Sequence, residues 1–456
     1  MELKKNSYHT VTVEGMNSEG FGVARIEGRA VFIAGALPGE KCKIKLLKVS
    51  KTAVYAKLDK LLELSPNRIK PDCPYFGQCG GCDFLHMDYE EELRIKKNRV
   101  NDALARLGGL GLTVSGIIGA PARKRYRNKA IFTVSRDVTA KKHQAVTGFF
   151  RPRSHQVIPV DSCLIQSEAA DQAAFIIRNW MDEYAISHYD EKTGKGLIRN
   201  LFVRTAFFTG MTAVCIVAAG DIPRRNKLIG LLRAGLPEIR SIILNINKSR
   251  GNTVLSGSFQ TLWGEDSIED VLCGLVFKLS PLSFYQINSN QAEILYKKAI
   301  EYAELTGNEK VLDLYCGTGT IGLCAASKAS KVVGVETIED AVKDAKENAK
   351  RNNIINAEFI CSDAGRAAKT LMKQGFHPDV IFLDPPRKGL SGDTVQAVAD
   401  MSPSRIVYIS CDPATLARDL KLFQSLSYEP QKATAIDMFP GTVHVETVVL
   451  MSRVDK

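Results

Sequence analysis

The sequence predicts a multidomain α/β protein: a small N-terminal β-barrel, a central β-rich α+β domain and a C-terminal, doubly wound parallel sheet. Three observations predict it. The chain is 456 residues long, more than a single hydrophobic core ordinarily serves. Its first sixty residues are short apolar alternations broken by glycines. Beyond Pro281, apolar runs of strand length alternate with helical periods, the pattern of strands joined by crossover helices. The expected boundaries are 1–60, 61–280 and 281–456.

In the first unit, residues 8–13, 30–34, 42–47 and 54–58 read as strands, punctuated by Gly20, Gly22, Gly28, Gly35 and Pro38-Gly39. A small barrel of this kind is either purely structural or a platform for oligonucleotides. Lys41, Lys43, Lys45, Lys48 and Lys51 weigh toward nucleic acid.

Residues 66–83 of the second unit are rich in turn formers and hold three cysteines. Residues 89–107 then read as a helix whose apolar stripe, Leu93, Val100, Leu104 and Leu107, is a docking face, with Lys96, Arg99 and Arg106 off it. This helix packs either within its own unit or on the C-terminal one. Strands follow at 130–135, 145–150, 201–208, 211–217, 241–247 and 275–279, interrupted by a helix over 166–184.

In the third unit, helix 288–302 precedes strand 310–315, helix 320–327, strand 331–336 and helix 339–352. Further strands are expected at 357–360, 380–383 and 405–410, with a helix over 414–423 and a last strand at 447–451.

Composition narrows the class. Hydrophobic content of 45% and charged content of 24% are those of a soluble globular protein. No run of eighteen apolar residues predicts a membrane span, and residues 1–14 lack the apolar core of a signal peptide. The expectation is a cytoplasmic protein, by default a monomer. Net charge is +11. It is concentrated over residues 121–155, where Arg123, Lys124, Arg125, Arg127, Lys129, Arg136, Lys141, Lys142, Arg151 and Arg153 face the single acid Asp137. A second basic region covers residues 1–60. Two such regions suit a phosphate backbone. Eleven cysteines, an odd number, argue in this setting for free thiols, metal ligands or catalysis rather than a disulfide framework.

The strongest motif is Val311-Leu312-Asp313-Leu314-Tyr315-Cys316-Gly317-Thr318-Gly319. It is a strand running into Gly-x-Gly and then a helix, which lets backbone approach a ligand. Glu336 ends the next strand, where an acid accepts the hydroxyls of a ribose. Asp313 lies just before the turn, where a pyrophosphate would be repelled but a sulfonium and an amine would not. The pattern therefore favours S-adenosylmethionine over a nicotinamide dinucleotide. Asp384-Pro385-Pro386-Arg387 follows another strand, and Arg387 there either contacts a phosphate or pins the loop.

Cys411 ends the strand after that, in Ser-Cys-Asp-Pro. It is a nucleophile if its thiolate is favoured, with N–H groups of the following helix available to lower its pKa. Glu446, opening the last strand, reads as a buried carboxylate with a raised pKa, a general base or a salt-bridged structural acid. Together they imply one reaction. A thiolate adds to carbon 6 of a uracil, carbon 5 becomes nucleophilic and takes a methyl group, and a base removes the carbon 5 proton. A structured RNA must flip out its uridine for this.

On these motifs the sequence resembles the RNA uracil-5 methyltransferases, over nearly its whole length, and most closely their 23S ribosomal RNA branch. The resemblance implies that Cys411 is the nucleophile and Glu446 the base, in Asp-Met-Phe-Pro-Gly-Thr-Val-His-Val-Glu. It implies cofactor contacts at Gln286 in Ser-Phe-Tyr-Gln-Ile-Asn, at Tyr315, Gly317 and Gly319, at Glu336 and Asp384, and with a looser local match at Asp363. Phe284 matches an aromatic beside the target uracil. Arg125, Arg127, Lys129 and Arg387 are the expected RNA contacts, the first three around Tyr126-Arg127-Asn128-Lys129. Residues 1–60 are similar to the TRAM domain, through Gly20-Phe21-Gly22-Val23-Ala24 and Gly35-Ala36-Leu37-Pro38-Gly39-Glu40. The tRNA-specific branch usually lacks this domain, which favours 23S ribosomal RNA as partner. The alternatives are a tRNA uracil-5 methyltransferase and a non-catalytic RNA-binding or ribosome-assembly factor.

Cys73, Cys79, Cys82 and Cys163 form a further candidate site. Their spacing allows zinc, the first choice on spacing alone, or an iron–sulfur cluster. The resemblance implies a [4Fe-4S] cluster with a structural role. Cys42, Cys215, Cys273, Cys324 and Cys361 read as core thiols, and Cys316 as packed behind the cofactor loop.

Overall fold

Val11, Val31, Ile33, Ile44, Leu46 and Val54 recur at alternate positions, and in extended backbone that period turns them to one side. In the computed structural model, which describes residues 3–136, 144–251 and 253–454, these side chains form the buried core of the N-terminal barrel. Its strands are β1 (Tyr8–Thr12), β2 (Gly15–Met16), β3 (Gly22–Ile26), β4 (Arg29–Ala34), β5 (Lys41–Val49) and β6 (Val54–Glu63). They are ordered β1-β5-β6-β4-β3-β2.

Helix α1 (Tyr89–Ala103) is capped by Asp88, which accepts from Glu91 N–H, and continues as a wider turn, Leu104–Gly108. It lies against the C-terminal unit, within reach of that unit's last helix and strands. The expected apolar stripe describes its docking face only in part: Val100 and Leu104 are buried in the C-terminal core. Leu107 is 57% exposed, whereas Glu92 and Lys96 are fully buried beside Val100. Lys96 Nζ donates to Glu92 Oε1 at 2.7 Å and to Asp437 Oδ1 at 2.6 Å. The two ionic partners satisfy a buried ammonium that periodicity assigned to solvent. After α1 comes the short β7 (Ile117–Ile118).

The central unit is a seven-stranded sheet ordered β10-β9-β8-β11-β12-β13-β14. Its strands are β8 (Lys129–Arg136), β9 (Ala145–Phe150), β10 (Val157–Pro159), β11 (Ile198–Thr205), β12 (Thr212–Ala218), β13 (Ile239–Ile246) and β14 (Ser258–Gly264). Helices α2 (Glu168–Glu183) and α3 (Arg225–Gly235) cover it through Ile177, Trp180, Leu228 and Leu232. The sequence reading did not foresee α3 or β14. Of the basic run, Asp137, Lys141 and Lys142 lie outside the described residues. A hairpin, β15 (Ile268–Leu272) with β16 (Leu275–Leu279), leads out of this unit.

Next come α4 (Ser289–Ala303), β17 (Lys310–Leu314), α5 (Thr320–Ala326), β18 (Lys331–Glu336), α6 (Glu339–Arg351), β19 (Ala357–Cys361) and α7 (Ala364–Lys373). They are followed by β20 (Val380–Leu383), α8 (Gly392–Asp400), β21 (Arg405–Ser410), α9 (Pro413–Ser425), β22 (Tyr428–Ile436) and β23 (Glu446–Arg453). The sheet is ordered β19-β18-β17-β20-β21-β23-β22-β7. Its β17 to β21 half is parallel, and β23 runs antiparallel between β21 and β22. The C-terminal ends of the parallel strands therefore open on one edge, the ligand crevice of such sheets. Among the described residues no helix is long and apolar enough to cross a membrane.

Candidate active site

Strand β17 delivers Tyr315, Gly317 and Gly319 to that edge. Tyr315 has φ 68°, a strained conformation for a residue with a side chain. Gly319 has φ 82°, and a Cβ there would lie 2.9 Å from the Phe359 ring. Both the backbone and the space require glycine. Asp313 is fully buried. One carboxylate oxygen accepts from Gly322 N–H of α5 at 2.8 Å, and the other has no partner. Burial, with Asp384 and Glu336 adding repulsion against the Gly322 hydrogen bond, pushes its pKa up to about 8.

Glu336 is fixed at the end of β18: Oε2 accepts from Gly317 N–H at 3.2 Å and Oε1 from Thr337 and Ile338 N–H at 2.7 and 3.0 Å. Burial alone pushes Asp384, at the end of β20, up to about 7. Three acidic side chains, one with a buried oxygen unpaired, suit a cationic ligand, whose charge favours their ionised forms. Ile338, which sequence reasoning passed over, is 61% exposed two residues beyond Glu336 and offers an apolar surface there. Asp363 follows Ser362, whose N–H donates to Glu336 O at 2.9 Å. It is exposed and caps α7 by accepting from Arg366 N–H at 3.1 Å.

Gln286 and Phe284 reach the same edge from the other side. The Gln286 carbonyl accepts from Asn128 Nδ2 at 2.7 Å, and Asn128 N–H donates to Ile287 O at 2.8 Å. The Tyr-Arg-Asn-Lys segment is thus joined to the Gln286 loop by its asparagine, a residue sequence reading did not single out. Phe284 is 60% exposed. Its carbonyl accepts from Thr318 Oγ1 at 3.5 Å, and its ring lies 3.9 Å from where a Gly317 Cβ would be.

Cys411 and Glu446 emerge from neighbouring strands, because Ser410 of β21 pairs with Thr447 of β23. Glu446 is 3% exposed, and burial, reinforced by Asp384 and opposed by Arg387, pushes its pKa up to about 8. The Cys411 thiol is pushed up to about 11 by burial, then by Glu446 and Asp384, with Arg387 opposing. This corrects the expectation that helix N–H groups lower it. Asp412 takes those groups, accepting from Ala414 and Thr415 N–H at 2.9 and 3.1 Å.

Arg387 lies 3.1 Å from the His444 ring, and Arg99 of α1 donates to Val443 O. Burial, with Arg387 and Arg99 adding to it, holds His444 down to about 4, a neutral imidazole at ordinary pH. No sequence signal linked Arg99 to this site, since α1 is more than 300 residues away in the chain. Arg125 is not a free cation. It pairs with Asp171 at 2.6 Å and donates to Cys163 O and Gln166 O at 2.7 and 3.0 Å. Lys129 is lowered to about 8 by burial, with Arg204 and Arg127 adding repulsion.

Cys73, Cys79, Cys82 and Cys163 line one cavity with Phe76, Leu85, Phe149, Ile165 and Arg127. Burial and then the neighbouring thiol Cys163 push Cys82 up to about 12, and burial likewise raises Cys79 and Cys163. Among the described residues, no three His, Cys, Asp or Glu side chains are gathered tightly enough to hold a metal ion. A tetrahedral zinc, with Zn–S near ~2.3 Å, would demand such gathering. Of the other cysteines, Cys42, Cys215 and Cys316 are buried, Cys273 and Cys324 partly so, and Cys361, expected in the core, is exposed.

Two family models match the chain: tRNA (uracil-5-)-methyltransferase over residues 265–454 and the TRAM domain over residues 2–58. An uncharacterized RNA methyltransferase of Clostridium tetani is 42% identical over 99% of this chain and 97% of its own. One from Caldanaerobacter subterraneus is 42% identical over 99% of each. Among solved structures, the Pyrococcus abyssi tRNA (uracil-54, C5)-methyltransferase in complex with S-adenosyl-L-homocysteine matches with a TM-score of 0.78 and 26% identity. That match covers 97% of this chain and all of the Pyrococcus one.

Proposed function

This chain belongs to the RNA uracil-5 methyltransferase family, and from that premise we propose that it methylates carbon 5 of a uridine in 23S ribosomal RNA, with Cys411 as nucleophile and Glu446 as base. The observation that supports the mechanism is the pairing of Ser410 with Thr447, which brings Cys411 and Glu446 to adjacent strand ends. S-adenosylmethionine supplies an electrophilic methyl group. Gln286, Tyr315, Gly317, Gly319 and Glu336 are the residues to hold it, with Asp384 and Asp363 beside them. The unpaired, buried Asp313 oxygen fits a cationic ligand.

The thiolate of Cys411 bonds to carbon 6 of the uracil, and the displaced electron pair moves to carbon 5 and its carbonyl. Carbon 5 then takes the methyl group. Glu446 accepts the carbon 5 proton, the ring double bond re-forms and the Cys411–carbon 6 bond breaks. Phe284 offers its exposed ring to the flipped base, and Arg127, Lys129 and Arg387 meet the RNA backbone.

For the four-cysteine cavity we propose a [4Fe-4S] cluster held by Cys73, Cys79, Cys82 and Cys163. One feature supports it: the four thiols, partly buried, line one largely apolar cavity. Iron and sulfide analysis of protein purified without oxygen tests this; zinc as the metal found would reject it.

A second reading keeps the chemistry and changes the RNA. The Pyrococcus tRNA enzyme is matched along 97% of this chain, a span that must include much of the barrel, so the barrel does not separate the two branches as expected. The cysteine cavity then carries the preference for ribosomal RNA. Methyl-labelled cofactor offered with unmodified 23S RNA and tRNA in separate reactions decides the matter. Label as 5-methyluridine in 23S RNA is expected; label in tRNA alone would overturn that choice of substrate.

A further inference from the structure

The loop between β22 and β23, residues 437–445, ends at Glu446 and has little regular structure of its own. Its polar backbone groups are satisfied from outside. Three of these hydrogen bonds come from the residues directly after Cys82, as many as from α1. Asp83 and Phe84 N–H both donate to Gly441 O, at 2.8 and 2.9 Å. Asp83 Oδ2 accepts from Val443 N–H at 3.1 Å. The next residue, Leu85, lines the cysteine cavity and packs so closely on Gly441 that a Cβ there would lie 2.8 Å from it. Tyr126 OH donates to Pro440 O at 3.0 Å, and its neighbour Arg127 lines the same cavity.

We propose that Asp83 is a positioning residue: with the backbone that follows Cys82, it braces the loop ending at Glu446, so that the four-cysteine cavity and the base move as one unit. This rests on Glu446 being the base. It gives the cavity a part in turnover beyond a structural role. Helix α1 closes the brace from the opposite side, through Gly441 N–H to Glu92 Oε1 at 2.7 Å and Lys96 Nζ to Phe439 O at 3.1 Å. Asp83 itself touches no reacting atom. Its effect passes through Val443 and His444 to Glu446.

The test compares Asp83→Ala and Asp83→Asn with the wild-type full chain, by hydrogen exchange of the 437–446 loop and by steady-state methyl transfer. In Asp83→Ala the Val443 amide should lose protection, and kcat should fall roughly 10-fold or more while KM for RNA stays within about 2-fold. Asparagine keeps a side-chain oxygen to accept from Val443, so Asp83→Asn should restore most of both. Unchanged exchange in Asp83→Ala, an unchanged kcat, or an equal loss in both variants would overturn the brace. Glu446→Gln, assayed alongside, separates the two readings. Full turnover in that variant would refute Glu446 as the base, while the exchange result would still judge Asp83.

Discussion

Cys411 and Glu446 stand opposite one another, one residue beyond the last rung of an antiparallel ladder in which Ser410 pairs with Thr447. The proposed nucleophile follows the last residue of β21 and the proposed base opens the adjacent β23, so the register of one sheet sets their spacing. Strands hold such a geometry more firmly than loops do.

Replacing either group should stop the reaction at a different stage. Cys411→Ala should give no covalent enzyme–RNA species and no methylated product. Glu446→Gln should still add to the ring and should accumulate a denaturation-resistant adduct, with turnover lowered about 10²- to 10⁴-fold, the usual range for a lost general base. Gel analysis with labelled cofactor reads both. Rapid turnover by Glu446→Gln would reassign the base.

Turnover should rise with pH. A base whose pKa stands at about 8 and a thiol at about 11 both work in their deprotonated forms, so kcat/KM should climb through neutral pH and go on rising beyond about 8. A profile flat over that range would show that neither group titrates during the rate-limiting step.

The crevice acids couple pH to stability and to the cofactor. Asp313, Asp384 and Glu446 hold their protons to about 8, about 7 and about 8, above the range of an unfolded carboxyl. The stability this lends is complete below that ordinary range and drains away as pH rises through the folded values. Melting temperature should therefore fall between neutral and mildly alkaline pH. Cationic S-adenosylmethionine should bind more tightly as these groups ionise, releasing protons. Calorimetry in buffers of different ionisation heat measures the release; none on binding would exclude the linkage.

Gly319→Ala should be costly for two reasons at one position, a left-handed backbone and a Cβ placed 2.9 Å from the Phe359 ring. The expected destabilisation is about 1–3 kcal/mol, with weakened cofactor binding. Denaturant melts and cofactor titration would reveal it.

Lys96→Met should destabilise the chain by about 3–5 kcal/mol, because Glu92 and Asp437 would be left as buried carboxylates without their cation. Equilibrium unfolding reads the effect. A loss below about 1 kcal/mol, the worth of an exposed pair, would mean that water reaches the triad.

The sequence by itself determined the parallel sheet and its glycine turn, the crevice acids, and the strand-end positions of Cys411 and Glu446. These follow from periods of two and 3.6 and from turn chemistry, all of which act over a few residues. Only the tertiary structure decided what depends on distant segments meeting. Lys96, read as lying off the apolar stripe of α1, is buried because Asp437 and Glu92 receive it. Arg125, read as an RNA contact, is committed to Asp171. The Cys411 thiol is raised rather than lowered by its burial first and by Glu446 and Asp384 second, while Asp412 takes the helix N–H groups. The reach of the Cys82 segment to the Glu446 loop spans some 360 residues of chain. No local pattern encodes it, since burial and charge pairing are properties of the assembled neighbourhood and not of any one stretch of sequence.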